Sequence, residues 1–269
     1  MIRRPSWLPE PASVRRRIAV ATWRPSKDGR IYTRMEVDVA AVLAYVEQAR
    51  VRTGERVTVT HVVGAALGRA IASMPEIRAR IVLGRILPLP SCDIGFAVDV
   101  DGGKDLAPIK VHHVDRLSPA EVACALSAGA SRLRAGEDEA YGQSSRIVSA
   151  VPTWAMRPLV SLTGAISGGL GLSAFGQPGF PLGSAFVSNV GSLGLDEGFL
   201  APLPFARVPL YLAIGAVREA AVVVDGAVVV RPTMVLVATA DHRLVDGAHA
   251  GQMATVLREL LAHPERMDG

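Results

Sequence analysis

Apolar and polar residues alternate over 31–38 (IYTRMEVD), the period of a strand with one face on a core. The period then lengthens. Val39, Val42, Leu43 and Val46 share one face of a helix that Asp38 can cap and Thr53-Gly54 stops. A second helix is predicted over about 60–73, with Val62, Val63, Leu67 and Ile71 inward and Met74-Pro75 at its end. Val- and Ile-rich β segments follow at 81–89 and 93–100, then a turn over Asp99–Gly103 and a strand near 106–111. Ser118-Pro119-Ala120-Glu121 starts a helix: a capping serine, proline at the first helical position and a glutamate closing the capping box. That helix runs to Gly136 on Leu117, Val122, Leu126 and Leu133. Farther on, 184–190 and 208–216 read as strands, and AVVVDGAVVV (221–230) as a hairpin about Asp225-Gly226. MVLVATA (234–240) is apolar almost throughout, the pattern of a central strand covered on both faces. A last helix starts at Asp246 or Gly247, carries Met253, Val256, Leu257 and Leu260 on one side, and closes at Pro264.

Strands and helices are mixed without regular alternation, which predicts an α+β fold around a large mixed sheet. Residues 1–14 read as an extended arm, 15–264 as one domain and 265–269 as a tail. Apolar residues at 49% and charged residues at 20% exclude a disordered chain, and aromatics at 5% leave the core to Val, Leu, Ile and Ala. The segment about 148–183 stands apart: Pro158–Gly176 carries no charge over 19 residues, long enough to span a bilayer. Its glycines, serines and flanking prolines favour a buried insertion or subunit contact over an interfacial or spanning helix.

The net charge is +4, with Arg3, Arg4, Arg15, Arg16, Arg17, Arg24 and Arg30 concentrated early. That basic stretch is a solvated arm or meets an anionic partner. Nucleic acid is disfavoured, because no interleaved aromatics accompany the charge. Cys92 and Cys124, 32 residues apart, form neither a disulfide framework nor a zinc site and read as buried or half-buried thiols. No metal is expected. With no signal peptide in MIRRPSWLPEP, a reducing cytoplasmic location is expected.

The sharpest chemical feature is Asp241-His242-Arg243-Leu244-Val245-Asp246-Gly247, between a buried strand and a helix. A histidine there is held on rigid backbone. Asp246 is placed to orient the imidazole or to hold the loop through an arginine; the plainer alternative makes His242 a loop residue and Asp246 only a cap.

This D-H-R-x-x-D-G-A stretch resembles the active-site signature of the acyltransferase catalytic domain of 2-oxoacid dehydrogenase complexes, a domain similar to chloramphenicol acetyltransferase. Four more stretches keep the family's order. Phe186-Val187-Ser188-Asn189-Val190-Gly191 looks like its T-I-S-N-x-G strand, with Ser188 54 residues before His242. Val208–Gly215 looks like its P-x-x-A-I-L-x-I-G strand, Arg15–Ala19 like its R-K-x-I-A opening helix, and Asp93–Val98 like its D-I-G-V-A-V strand. The resemblance covers roughly 15–147 and 183–264.

The resemblance implies a two-layer chloramphenicol acetyltransferase-like fold, trimeric, with His242 from one copy facing Ser188 from the next. His242 would take the proton from the thiol of coenzyme A or dihydrolipoamide, since a free thiol with a pKa of about 8.5 is only a few per cent thiolate at neutral pH. Ser188 would donate to the oxyanion. Asp246 matches the family's Asp or Asn, with Arg15 or Arg16 as its candidate partner, and Asn189 and Arg243 are supporting residues. The acceptor is a lipoyl group on a separate carrier, or another thiol or hydroxyl, because these 269 residues contain no lipoyl domain. Dehydrogenase subunits are the corresponding partners. The C-terminal stretch after Leu261 has Met267 as its one large apolar residue, which predicts a trimer rather than a larger cage. Two other readings remain: a trimeric scaffold or regulatory homologue without catalysis, and a membrane-surface protein using 158–176. His61, His112 and His113 match nothing in the family, and Asp101–Pro108 departs from its P-D-G-L-x-x-P loop.

Overall fold

The computed structural model describes residues 29–99, 106–137, 153–203 and 205–268. The predicted arm, Arg15, Arg16 and the Asp101–Gly103 turn lie outside these residues. Strand β1 (Arg30–Asp38) leads into helix α1 (Ala40–Thr53). The α1 cap position is Val39, yet Asp38 still accepts from Ala40 N at 2.8 Å, so the expected aspartate acts from one residue farther out. Gly54 closes the helix with a φ of 73°.

Helix α2 (Val59–Ala72) starts at a capping box that the sequence reading missed. Thr58 caps, and His61, three residues into the helix, turns its ring back on the cap backbone. The predicted β segment at 81–89 is instead a hairpin of two short strands, β2 (Ala79–Val82) and β3 (Arg85–Pro88), turning on Leu83 and Gly84, both at positive φ. Strands β4 (Ile94–Asp99) and β5 (Leu106–Val111) precede α3 (Pro119–Arg134), which has the predicted Ser118–Glu121 box.

The remaining elements are α4 (Thr153–Thr163), a π-helical turn (Gly164–Leu170), β6 (Ala185–Asn189), β7 (Leu210–Ile214), β8 (Arg218–Val224), β9 (Ala227–Asp241) and α5 (Gly247–Ala262). The hairpin strand and the central strand predicted separately at 227–230 and 234–240 are one strand. Pro232 does not break it, because it stands just outside the β1 pairing, which starts at Thr233, and its carbonyl still accepts from Val39 N at 2.9 Å.

Seven strands form one mixed sheet in the order β1-β9-β7-β6-β4-β5, with β8 on β9; β6 is parallel to β4 and to β7, and the other pairs are antiparallel. Helices α1, α2, α3 and α5 cover one face. Their apolar stripes meet every second sheet residue, including Ile94, Phe96, Leu210, Leu212, Ile214, Met234 and Leu236. Phe96 is 1% exposed, a burial worth about 1.5–3 kcal/mol. Its ring fills the space that a side chain on Gly64 would need, since a Cβ there would lie 2.6 Å from Phe96 Cε1. Glycine therefore lets α2 reach the sheet.

The other face of β7 packs Tyr211 against Leu182, Ala206 and Val208. This covering comes from the insertion and the loop after β6. Arg207 donates to Gly164 O at 3.2 Å and to Ile81 O at 2.6 Å. Arg80 donates to Gly169 O at 2.7 Å and stacks over Phe180, 4.5 Å from its centroid. Lys110 donates to Gly179 O and Phe180 O, each at 3.0 Å. Burial pushes all three pKa values down. Gly164, Ser167, Gly168 and Gly169 are buried, whereas Val160, Leu162, Leu170, Leu172 and Phe175 are exposed. Within the described residues no helix is long and apolar enough to cross a membrane.

Two further expectations change. Cys92 is buried, with its thiol pushed up to about 12 by that burial, but Cys124 is exposed rather than half-buried. The C-terminal tail is docked: Met267 is fully buried, its carbonyl accepts from Arg69 at 2.8 Å, and Asp268 bonds Tyr45 and Arg52.

Candidate active site

The predicted histidine sits where β9 ends. Leu244 N and Val245 N both return to Asp241 O at 2.9 Å, which makes a tight turn with His242 at its outer corner. Arg243 folds back on Asp241, Nε lying 2.9 Å from Oδ1 and 3.1 Å from Oδ2, and Arg243 is 7% exposed. This two-oxygen contact fixes the residues on either side of His242. His242 N donates to Gly29 O at 2.6 Å, and Leu244 and Val245 anchor the turn in the core.

The His242 ring is oriented by backbone. Its Nδ1 lies 2.9 Å from Val245 O. A carbonyl only accepts, so Nδ1 carries the hydrogen and, in the neutral ring, Nε2 keeps its lone pair. Asp246 caps α5, accepting from Ala248 N at 3.0 Å and His249 N at 3.2 Å, and His249 Nδ1 lies 2.8 Å from its Oδ1. The sequence reading missed this use of His249.

Ser188 lies on β6, 9% exposed, beside Ala213 of β7. Asn189 ties the strand end to α2, donating from Nδ2 to Thr60 Oγ1 at 2.9 Å, and accepts from Ser192 N at 3.0 Å. A Cβ on Gly191 would lie 2.5 Å from the Gly215 backbone. The two glycine-containing motifs thus meet main chain to main chain just beyond Ser188.

One chain does not bring Ser188 and His242 together. Ser188 pairs with Ala213, and Ala213 with Val237, while His242 lies five positions beyond Val237. At about 3.3 Å per residue this is about 16 Å along the sheet, with two strand spacings of about 4.8 Å across it.

A cavity of about 500 Å³ opens beside Ser188 and Asn189, between α2, β4 and α3. A second, of about 310 Å³, lies between α5 and β1, β7 and β9 beneath Val245. His61 lines the first cavity. Burial, with the charge of Arg50 adding to it, pulls its pKa from 6.5 down to about 4. Between these values the unfolded chain binds a proton that the folded chain refuses. The contribution of His61 to stability is thus intact above pH 6.5 and is lost as the pH falls toward 4. Denaturant titrations should show a loss of up to about 3 kcal/mol across that window, relative to His61→Gln. Parallel curves for the two proteins would refute it. His112 Nδ1 lies 2.9 Å from Asp93 Oδ2, and neither residue lines these two cavities. The described residues hold no group of three or more potential metal ligands.

A mixed sheet layered with helices thus carries a histidine on a strand-to-helix turn and a serine on a parallel inner strand. Residues 10–142 and 180–268 match the family profile described as 2-oxoacid dehydrogenases acyltransferase (catalytic domain), and the chain belongs to that family. Among curated relatives, the dihydrolipoyllysine-residue acetyltransferase component of the Bacillus subtilis pyruvate dehydrogenase complex is 26% identical over 235 residues, covering 86% of this chain and 44% of that one. The succinyltransferase component of the Bartonella vinsonii 2-oxoglutarate dehydrogenase complex is 39% identical over 72 residues, 26% of this chain and 18% of that one. The chain thus spans less than half the length of these relatives. The same fold occurs in a probable dihydrolipoamide acetyltransferase of Listeria monocytogenes (TM-score 0.65, 17% identity, 89% of this chain and 85% of that one). It also occurs in a chloramphenicol acetyltransferase (TM-score 0.51, 15% identity, 93% and 96%). The family match breaks over 143–179, which contains α4 and the π-helical turn.

Proposed function

We propose that this chain transfers an acyl group between coenzyme A and a second thiol, that of dihydrolipoamide on a separate carrier, with His242 as base. The observation that carries the reading is the Nδ1 contact to Val245 O, which holds the ring hydrogen on Nδ1 and makes Nε2 the basic nitrogen. The incoming thiol gives its proton to Nε2 while its sulfur attacks the thioester carbonyl carbon. Ser188 Oγ–H donates to the oxygen that becomes negative. Collapse re-forms the carbonyl and breaks the old C–S bond, and the departing thiolate takes the proton back from Nε2. A base in this position typically contributes about 10²–10⁴-fold and an oxyanion donor about 10²–10³-fold.

The separation along the sheet supports a site shared between copies, His242 from one and Ser188 from its neighbour, in a homotrimer. Asp246 and Arg243 then position the histidine-bearing turn, Asn189 positions the serine strand, and Arg15 or Arg16 is the partner proposed for Asp246. A solved dihydrolipoamide acetyltransferase of Azotobacter vinelandii has been studied for the roles of a serine, a histidine and an asparagine in its mechanism. Ser188, His242 and Asp246 offer the first two types and an acidic counterpart of the third.

The direct test is incubation of the chain with acetyl-coenzyme A and free dihydrolipoamide. Acyl-dihydrolipoamide and free coenzyme A should appear in equal amounts. Binding of coenzyme A without transfer to this or any hydroxyl acceptor would favour a scaffold instead.

A further inference from the structure

The cavity beside Ser188 is much larger than an acetyl group needs, and its walls are not uniform. Phe96, Val98, Leu106 and Leu126 make one side apolar, while Thr58, Thr60 and His61 make the other polar. Glu55 and Asp99 offset Arg56 and Arg134 among the lining residues, so no charge dominates.

His61 is the informative member. Thr58 N donates to its Nδ1 at 3.0 Å, which places the ring hydrogen on Nε2. Among the described residues no hydrogen bond occupies Nε2. The side chain is half-buried, and the ring stays neutral above about pH 4. His61 lines the cavity, and an N–H donor that a bound ligand shields from water selects for an acceptor, because a ligand lacking one leaves it unsatisfied.

We infer that His61 is a specificity-determining residue of the acyl site, donating from Nε2 to a neutral oxygen, a hydroxyl or keto group, carried by the acyl chain beyond its thioester carbonyl. The inference rests on the acyl-transfer reading above. A dicarboxylic acyl group fits less well, because its free carboxylate would enter a cavity with balanced charge and a neutral donor.

The test compares kcat/KM for 3-hydroxybutyryl-, acetoacetyl-, butyryl- and succinyl-coenzyme A in the wild type, His61→Leu and His61→Gln. Leucine removes both the cap acceptor and the donor. Glutamine keeps both, since a glutamine three residues into a helix closes a capping box equally well. The wild type should prefer the hydroxy- and ketoacyl groups over butyryl. His61→Leu should lower that preference by about tenfold to a hundredfold, and His61→Gln should largely restore it. A wild-type preference for butyryl or succinyl would overturn the assignment. So would an equal loss for every acyl group in His61→Leu, which would make His61 a cap or a contact to the carrier arm.

If the wild type transfers none of these groups, the acyl-transfer reading fails separately. Calorimetric binding then decides the cavity itself. Weaker binding of 3-hydroxybutyryl-coenzyme A to His61→Leu, with butyryl-coenzyme A unaffected, would support the donor role, and equal binding by both proteins would overturn it.

Discussion

His242→Ala is expected to lower acyl transfer by about 10²–10⁴-fold while the protein keeps its assembly and melting temperature. The structure explains why the effect should be confined to chemistry. The turn is held by the bonds of Leu244 and Val245 to Asp241, by the Arg243–Asp241 pair, and by the His242 backbone to Gly29. None of these uses the imidazole. The ring bonds Val245 O, and that bond sets which nitrogen is basic. Transfer at equal rates in the two proteins would remove His242 from the mechanism. A variant that aggregates or melts early would instead show that the ring supports the turn.

Mixing two inactive variants should restore activity that neither has alone. Ser188→Ala is expected to lose about 10²–10³-fold through the missing oxyanion donor. If each site takes serine from one copy and histidine from the next, Ser188→Ala and His242→Ala chains reassembled at equal amounts will pair an intact serine with an intact histidine in about a quarter of sites. About a quarter of the wild-type rate should return after joint dissociation and reassembly. The separation of Ser188 and His242 across β6, β7 and β9 motivates this result. No recovery after verified subunit exchange would place both groups in one chain and require a large rearrangement of the sheet.

The sheet and helix layers were legible where local chemistry decides. The alternation of 31–38, the Ser118–Glu121 box and the Asp225-Gly226 hairpin each form as expected. The β2–β3 hairpin was not, because Leu83-Gly84 lacks the Asn or Asp that usually marks such a turn. The π-helical turn depends on Arg80 and Arg207, remote in sequence, capturing its carbonyls. No local pattern carries that information. In the site, His242 and Asp246 stand out by their place between a buried strand and a helix, and Ser188 and the catalytic roles come from motif resemblance, whereas the ring of His242 is held by the Val245 carbonyl, which no side-chain pattern reveals. His61 was readable in principle, since Thr58-x-x-His61 is a capping box with imidazole in place of glutamate. Its approach to Ser188 needed the fold.

The way the insertion is fastened sets its response to ionic strength. Residues 158–195 contain no ionisable side chain, so Arg80, Lys110 and Arg207 grip carbonyl dipoles rather than carboxylates. Mobile ions screen exposed charge pairs, with a Debye length of about 3 Å at 1 M, but act weakly on sheltered bonds between a cation and a dipole. Molar salt should therefore loosen Arg34–Glu197 and Arg218–Asp196, which pin the loop beyond β6, and leave the glycine-rich segment in place. Two neighbouring pieces of one surface are thus held by contacts with opposite sensitivity to the surrounding electrolyte.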